Sequence, residues 1–158
     1  MAAIDTISAH APILLAVALA HVASGAIAHG EEHSEAAYGR PGDAAKVSLT
    51  IAIDMSDSMR FTPAVIAARK GETVRFVLTN SGRVKHEMVL GSSKELKEHA
   101  AMMRKFPEME HADPNRVSVD PGKTGALIWQ FTSAGTFDFA CLQPGHFEAG
   151  MRGKITVR

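Results

Sequence analysis

The chemically most distinctive stretch of the sequence is CLQPGHFEAGM, which spans residues 141–151. It contains Cys141, His146 and Met151, and each of these follows the previous one by five positions. Cys141 is the only cysteine of the chain. It is therefore a buried apolar side chain, a reactive thiol or a metal ligand, and not half of an internal disulfide. A thiolate and a thioether are soft donors and an imidazole is a borderline donor, so together they suit a soft metal ion.

This donor set favours copper, because copper alternates between a soft and a harder oxidation state. A copper site for electron transfer uses two imidazoles and one thiolate, with a weak and distant thioether. The loop supplies one imidazole, so a second histidine must come from another part of the fold. His86 is the best candidate, because it begins the apolar run HEMVLG shortly after a glycine-containing turn. The predicted ligands are therefore His86, Cys141, His146 and Met151.

Runs of alternating apolar and polar residues indicate that a β-fold positions these ligands. The segment KVSLTIAI, residues 46–53, alternates with a period of two, which is typical of a half-buried strand. Further short runs of this kind are separated by turn residues. The segment RVSVDPGKTGALIWQF, residues 116–131, predicts a β-hairpin around Pro121 and Gly122.

One segment has a helical pattern instead. In SSKELKEHAAMMRKF, residues 92–106, Ser92 or Ser93 can act as the N-cap. Leu96, Ala100 and Met103 then recur at helical spacing. About seven or eight short strands with one short inserted helix predict an all-β fold, a Greek-key sandwich or barrel.

The motifs resemble those of the cupredoxins over residues 46–158. The loop is similar to the Cys-x4-His-x3/4-Met ligand loop of azurin-like and rusticyanin-like proteins. The resemblance implies a Greek-key β-sandwich in which Cys141 and two histidines, His86 and His146, are equatorial ligands of a type 1 copper and Met151 is the axial ligand. It also implies that nearby apolar side chains shield the metal, with three expected in that role: Met88, Phe139 and Phe147.

A narrower resemblance concerns the small periplasmic cupredoxins that are associated with bacterial copper tolerance. It rests on four segments of the sequence: DMSDSMRFTP, GETVRFVLTNSG, HEMVLG and FACLQPGHFEAGMRG. One position departs from the azurin-like pattern, because Glu87 follows the first ligand where those proteins commonly have asparagine. The surroundings of the copper are therefore expected to differ from those in azurin.

The amino-terminal part predicts export to the periplasm. Residues 11–28 are apolar and end in an A-x-A pattern, which indicates a secretory signal peptide over residues 1–28 with cleavage after Ala28. The first ten residues lack the Lys or Arg that such peptides usually carry, so the alternatives are an uncleaved anchor or a misassigned start codon. Residues 29–45 are polar and glycine-rich, which predicts a flexible leader before a single domain over residues 46–158.

Other histidines and methionines are candidate ligands of a weaker accessory copper site. A mature chain that begins at His29 could chelate copper through its amino group and imidazole, with His33 nearby. The second candidate is the segment 99–111, which holds His99, Met102, Met103, Met109 and His111. The alternatives are a polar tail for the first and methionines that fill gaps in the core for the second.

The sequence therefore predicts a monomeric, exported type 1 copper protein in copper tolerance, where the role in tolerance comes from the resemblance. Its expected partners are copper ions and a periplasmic protein that carries electrons or copper. Seventeen basic and seventeen acidic residues leave no basic excess for nucleic acid. The alternative is a dedicated electron shuttle between respiratory partners. An enzyme is not expected, because four ligands leave no open position for a substrate.

Overall fold

The computed structural model describes residues 36–109 and 113–158. These residues form ten strands, one α-helix and a 3₁₀ turn at Ala44–Lys46. The strands, in chain order, are β1 (Arg40–Pro41), β2 (Leu49–Ser56), β3 (Arg60–Thr62), β4 (Val65–Ala68), β5 (Thr73–Asn80), β6 (His86–Gly91), β7 (Arg116–Val119), β8 (Thr124–Gln130), β9 (Gly135–Ala140) and β10 (Arg152–Val157).

The strands form two five-stranded sheets. The first sheet has the order β1-β8-β5-β2-β3 and the second has the order β4-β10-β9-β6-β7. Two neighbouring pairs, β2 with β5 and β4 with β10, are parallel, and the others are antiparallel. Several strands that follow each other along the chain lie in different sheets, as Greek-key connections require. The predicted Greek-key β-sandwich is confirmed.

The core lies between the two sheets and follows from the alternation within each strand. In β5, Val74, Phe76 and Leu78 are fully buried, whereas the residues between them are only partly buried. From the second sheet, Phe139 and Ile155 belong to the same core cluster. Full burial of a side chain of this size stabilises a fold by about 1.5–3 kcal/mol. The period of two in the sequence therefore accounts for the two-layer architecture.

The helix α1 (Ser93–Lys105) covers the outer face of the second sheet. Ser92 is its N-cap and forms a capping box with Glu95, whose side chain accepts a hydrogen bond from the Ser92 backbone. Leu96, Ala100 and Met103 are buried against residues of β6 and β9, as the helical spacing predicted. Because the helix covers one face and the first sheet covers the other, every residue of β6 is buried.

The predicted hairpin around Pro121 and Gly122 is wrong. Strand β7 pairs with β6 and strand β8 pairs with β5, so this turn crosses from one sheet to the other. Asn80 holds the turn in that position, because its backbone N–H donates to Lys123 O and its backbone carbonyl accepts from Gly122 N. The buried side-chain amide of Asn80 also donates to Val119 O at 2.9 Å.

The predicted flexible leader is also wrong for residues 36–45. Strand β1 pairs with β8, and Tyr38 is buried with its ring stacked on Trp129 at a centroid distance of 5.6 Å. The indole N–H of Trp129 donates to the Tyr38 carbonyl at 3.0 Å. The predicted signal peptide, residues 1–28, and the first part of the leader lie outside the described residues. Within residues 36–109 and 113–158, no helix is long and apolar enough to cross a membrane.

Candidate metal centre

Strand β9 and its two neighbours bring three of the predicted ligands to one end of the second sheet. Cys141 follows the last residue of β9, His86 is the first residue of β6, and Met151 comes directly before β10. Both neighbouring strands are antiparallel to β9, so their register places those chain ends beside Cys141. The backbone N–H of Cys141 donates to Met151 O at 3.0 Å, which continues the β9–β10 ladder.

Side-chain alternation decides which of these residues face the core. In β6, Met88 belongs to the core between the sheets, whereas Val89 belongs to the cluster under the helix. His86 therefore points inward with Met88, and Glu87 points outward with Val89. Cys141 is part of the inner core cluster, so it faces the same side as His86.

A tight turn positions the second histidine. His146 N donates to Gln143 O at 2.9 Å across Pro144 and Gly145, and Gly145 has a φ of 84°. Proline followed by a glycine with positive φ is typical of a type II turn. Met151 N then donates to His146 O at 3.0 Å, which closes the loop. The PGH motif thus turns the imidazole back towards the sulfur of Cys141.

The three strongest donors converge. Cys141 Sγ lies 3.2 Å from His146 Nδ1 and 4.0 Å from His86 Nδ1, and all three donor atoms lie within 4.8 Å of one another. The two imidazole rings are 5.0 Å apart and inclined by 53°. His86, Cys141 and Met151 are fully buried, whereas His146 is partly exposed. Within the part of the chain that the structure describes, this is the only group of three His, Cys or acidic residues that could hold a metal ion.

The donor chemistry fits copper. Two imidazoles and a thiol, with a buried thioether on the same loop, form a soft and nitrogen-rich set, whereas calcium and magnesium sites are built from oxygen ligands. The side of the site that faces the core is apolar, because Met88 and Phe139 lie fully buried in the core cluster that contains Cys141. Phe147 packs instead in the cluster under the helix, so its expected place beside the metal is not observed.

The environment of the cysteine opposes its ionisation in the metal-free protein. Burial raises the pKa of the Cys141 thiol to about 12, although the backbone N–H groups of Glu87 and Gln143 lower it in part. A metal ion must therefore displace the thiol proton when it binds. Burial also lowers the pKa of His146, and the neighbouring His86 lowers it further. His146 is consequently a neutral imidazole, and thus a competent ligand, near neutral pH.

Glu87 connects the outer side of the site to the rest of the fold. Its side chain is 1% exposed and accepts hydrogen bonds from Leu142 N at 3.2 Å and Gln143 Nε2 at 3.2 Å, both on the ligand loop. Ser118 Oγ donates to it at 3.1 Å, and Arg116 Nε lies 3.2 Å from the same carboxylate oxygen, Oε2. A single carboxylate therefore ties the loop to β6 and β7.

Asp57 contacts the site from the first sheet. Its Oδ1 lies 3.2 Å from His86 Nε2, the ring nitrogen that faces away from Cys141. The pKa of Asp57 is below its usual value, chiefly because Arg83 N–H donates to its carboxylate at 2.8 Å. Neither this contact nor the Arg116 contact was predicted from the sequence. The only signal was that Asp57 lies in a polar turn between two methionines, 29 positions before His86.

The two candidate accessory copper sites differ in how much of each the structure describes. His29, His33 and His111 lie outside the described residues. In the described part of the second candidate segment, Met103 is buried between the helix and the sheet, which confirms its packing role. Met102 and Met109 are exposed, at 45% and 37%. An accessory copper site stays a prediction.

Comparison with known proteins identifies the family at the level of the sequence. A model of copper-binding proteins, the plastocyanin/azurin family, matches residues 45–158. The chain is 58% identical over 134 residues to the copper-resistant cuproprotein CopI of Rubrivivax gelatinosus, with 83% of this chain and 81% of that protein covered. It is 36% identical to the protein of the same name from Pseudomonas aeruginosa, with 92% and 93% covered.

Among solved structures, the chain is similar to reduced auracyanin from the photosynthetic bacterium Roseiflexus castenholzii. The TM-score is 0.61 at 20% identity, and the alignment covers 71% of this chain and 98% of auracyanin. At this level of identity, the likeness concerns the fold alone. The family match over the sandwich, together with the convergent histidines and cysteine, shows that the chain belongs to the plastocyanin/azurin family of copper-binding proteins, the cupredoxins.

Proposed function

We propose that this cupredoxin is an exported periplasmic protein that binds one type 1 copper through His86, Cys141, His146 and Met151 and acts in copper tolerance. The observation that carries the proposal is the convergence of Cys141 Sγ with two histidine Nδ1 atoms, at 3.2 and 4.0 Å. The role in tolerance is supported by relatives that are named copper-resistant cuproproteins. Export is supported by the A-x-A pattern at residues 26–28.

When bound at this site, copper supplies a one-electron couple. The residues of the chain supply a fixed and water-poor pocket around it. The backbone hydrogen bonds from Cys141 N to Met151 O and from Met151 N to His146 O hold the loop. Because the donors already lie close together, binding requires little rearrangement of the backbone. A donor set that moves little favours rapid electron transfer in either direction.

The same geometry argues for a binding protein rather than an enzyme. Cys141, His86 and Met151 are fully buried, and His146 is the one member of the proposed ligand set that is partly exposed. Electrons can pass through an exposed imidazole edge, but a substrate needs an open coordination position. We infer that the protein acts as a monomer that exchanges electrons or copper with a periplasmic partner.

Optical and EPR spectra of the Cu(II)-loaded protein test the ligand set. We expect an intense visible band from charge transfer between the Cys141 sulfur and copper. Cys141→Ser should abolish the band and leave the sandwich folded, as measured by circular dichroism. Met102→Leu is a suitable control, because Met102 is an exposed thioether on the helix. A coloured Cys141→Ser protein would contradict the assignment.

A deletion strain tests the biological role. Loss of the gene should leave growth normal in low copper and impair it as copper in the medium rises. Complementation with Cys141→Ser asks whether the copper centre itself is needed. Normal copper sensitivity together with a respiratory defect in low copper would instead identify a dedicated electron shuttle.

A further inference from the structure

The side of His86 that faces away from the donor cluster is held by a charged residue. His86 is fully buried, and its Nε2 lies 3.2 Å from Asp57 Oδ1. Asp57 lies in the turn between β2 and β3, in the opposite sheet, and its side chain is 40% exposed. This contact therefore joins a buried ligand of the second sheet to a partly solvated carboxylate of the first.

The contact determines which nitrogen of His86 carries the proton. An ionised carboxylate only accepts hydrogen bonds, so the hydrogen between Asp57 and His86 must be on Nε2. A neutral imidazole carries one proton, and Nδ1 is then left with a free lone pair. Nδ1 is the atom that faces Cys141 Sγ, at 4.0 Å. The contact thus selects the tautomer that is able to bind a metal at Nδ1.

The backbone around Asp57 is arranged to keep the carboxylate in place. Arg83 N donates to Asp57 Oδ2 at 2.8 Å, so one oxygen is anchored while the other contacts His86. Gly82 leaves room for this arrangement, because a Cβ at that position would overlap Asp57 Oδ1 and lie 3.1 Å from His86 Nε2. Asp57 is therefore oriented by two features of the 82–83 segment that are independent of His86.

We propose that Asp57 is a positioning residue of the copper centre, which fixes the metal-binding tautomer of His86 and favours Cu(II) over Cu(I). This inference rests on the proposed ligand set, in which His86 is an equatorial ligand. Its first part follows from the hydrogen bond. Its second part follows from the charge, because a carboxylate behind the imidazole stabilises a doubly charged ion more than a singly charged one. A histidine ligand that donates its second N–H to a carboxylate is also a stronger donor.

The size of the charge effect is limited by solvent. The carboxylate is partly exposed, so water screens it, and its charge acts on the metal across the full width of the imidazole ring. We expect removal of the charge to lower the ratio of Cu(II) affinity to Cu(I) affinity by about tenfold, at the low end of what partners of metal ligands contribute.

Three variants separate the effects. Asp57→Asn keeps a side chain of the same shape and removes the charge, and Asp57→Ala removes both the charge and the hydrogen bond. The matched control is Asp54→Asn, which removes a nearby charge from β2 where Asp54 Oδ2 accepts a hydrogen bond from Ser81 Oγ at 2.9 Å. Affinities for Cu(II) and Cu(I) are measured by competition with chelators, and reduction potentials are measured on the loaded proteins.

A second measurement needs no copper. Nitrogen-15 NMR of the metal-free protein, labelled at histidine, reports the tautomer of each ring. The wild type and Asp54→Asn should have the His86 proton on Nε2, and Asp57→Ala should populate the Nδ1 tautomer as well. Asp57→Asn should show a lower affinity ratio and a higher potential than the wild type, whereas Asp54→Asn should stay within twofold.

Two results would overturn the inference about Asp57. Each can be distinguished from a result that refutes the proposed ligand set. An unchanged tautomer in Asp57→Ala removes the positioning role. An affinity ratio within twofold of wild type in Asp57→Asn removes the preference for Cu(II). In both cases the charge-transfer band of the wild type remains. Absence of that band in the wild type would instead refute the ligand set itself.

Discussion

The ion pair between Glu87 and Arg116 provides a sharp test of how burial changes the value of a charged contact. The Glu87 carboxylate is 1% exposed and the Arg116 side chain is 12% exposed, with Arg116 Nε 3.2 Å from Glu87 Oε2. The protein has a matched pair elsewhere, because Arg104 Nε lies 3.2 Å from Glu148 Oε1. In that second pair the side chains are 55% and 39% exposed. The two contacts join the same types of atom at the same distance. They differ in exposure to solvent and in the further hydrogen bonds that the buried Glu87 carboxylate accepts.

The expected losses in the free energy of unfolding follow from this difference. Glu87→Gln removes the charge and brings an amide N–H₂ close to donors, and it should cost about 1.5–3 kcal/mol. Glu87→Ala also leaves Arg116 and the Leu142 N–H without their acceptor, and it should cost about 3–5 kcal/mol. Glu148→Gln, the same chemical change at the exposed pair, should cost about 0.2–1 kcal/mol.

Urea unfolding of the metal-free proteins measures these values without any contribution from copper binding. Adding Arg116→Met to Glu87→Gln should recover part of the loss, because the buried cation without its partner is removed as well. Equal costs for Glu87→Gln and Glu148→Gln would refute the reasoning, since burial would then have no influence on the pair.

Three further predictions concern the ligands and their neighbours. Met151→Leu should retain copper and raise the reduction potential, because the thioether proposed as axial ligand binds weakly, whereas His86→Ala should lose the native spectrum. Equal damage from both substitutions would contradict the proposed roles. Gly82→Ala should displace the Asp57 side chain, because the added Cβ would overlap Asp57 Oδ1. The NMR spectrum should then show the same change in the His86 tautomer as in Asp57→Ala. Histidine signals identical to those of the wild type would contradict this prediction. Burial raises the pKa of Cys141 from 9.0 to about 12, so the folded metal-free protein keeps a proton that the unfolded chain releases. The contribution of Cys141 to the free energy of unfolding should therefore be constant below about pH 9 and be lost towards pH 12, and Cys141→Ser should remove that part of the pH dependence in urea titrations.

The parts of the fold that depend on local patterns could be predicted from the sequence. Alternation gave the strands because each one has a buried face, and Ser92 with Glu95 gave the start of the helix because a capping box is a local motif. The ligand loop was recognisable for the same reason. A turn at Pro144 and Gly145 fixes the spacing between Cys141 and His146, so the chemistry and the geometry lie in one short segment.

The errors concern contacts between residues that are far apart in the sequence. A Pro-Gly turn between two strands has the same local pattern in a hairpin and in a connection between sheets. Asn80, about forty positions earlier, decides between them by bonding to both sides of the turn. Tyr38 lies in a polar stretch that is typical of a flexible leader. Its partner Trp129 is 91 positions away, and no local pattern indicates that the two rings stack.

The environment of the metal centre shows the same division between local and distant contacts. His86 and Glu87 are adjacent in β6 and therefore face opposite sides of the sheet. His86 is held from the first sheet by Asp57, whereas Glu87 accepts hydrogen bonds from the loop that follows Cys141. Two carboxylates on opposite faces thus hold two neighbouring segments that carry proposed ligands, and each acts across more than twenty-five positions of the chain. The spacing of the ligands was sufficient to indicate copper, but the groups that orient them depend on strand register and became apparent only in the folded chain.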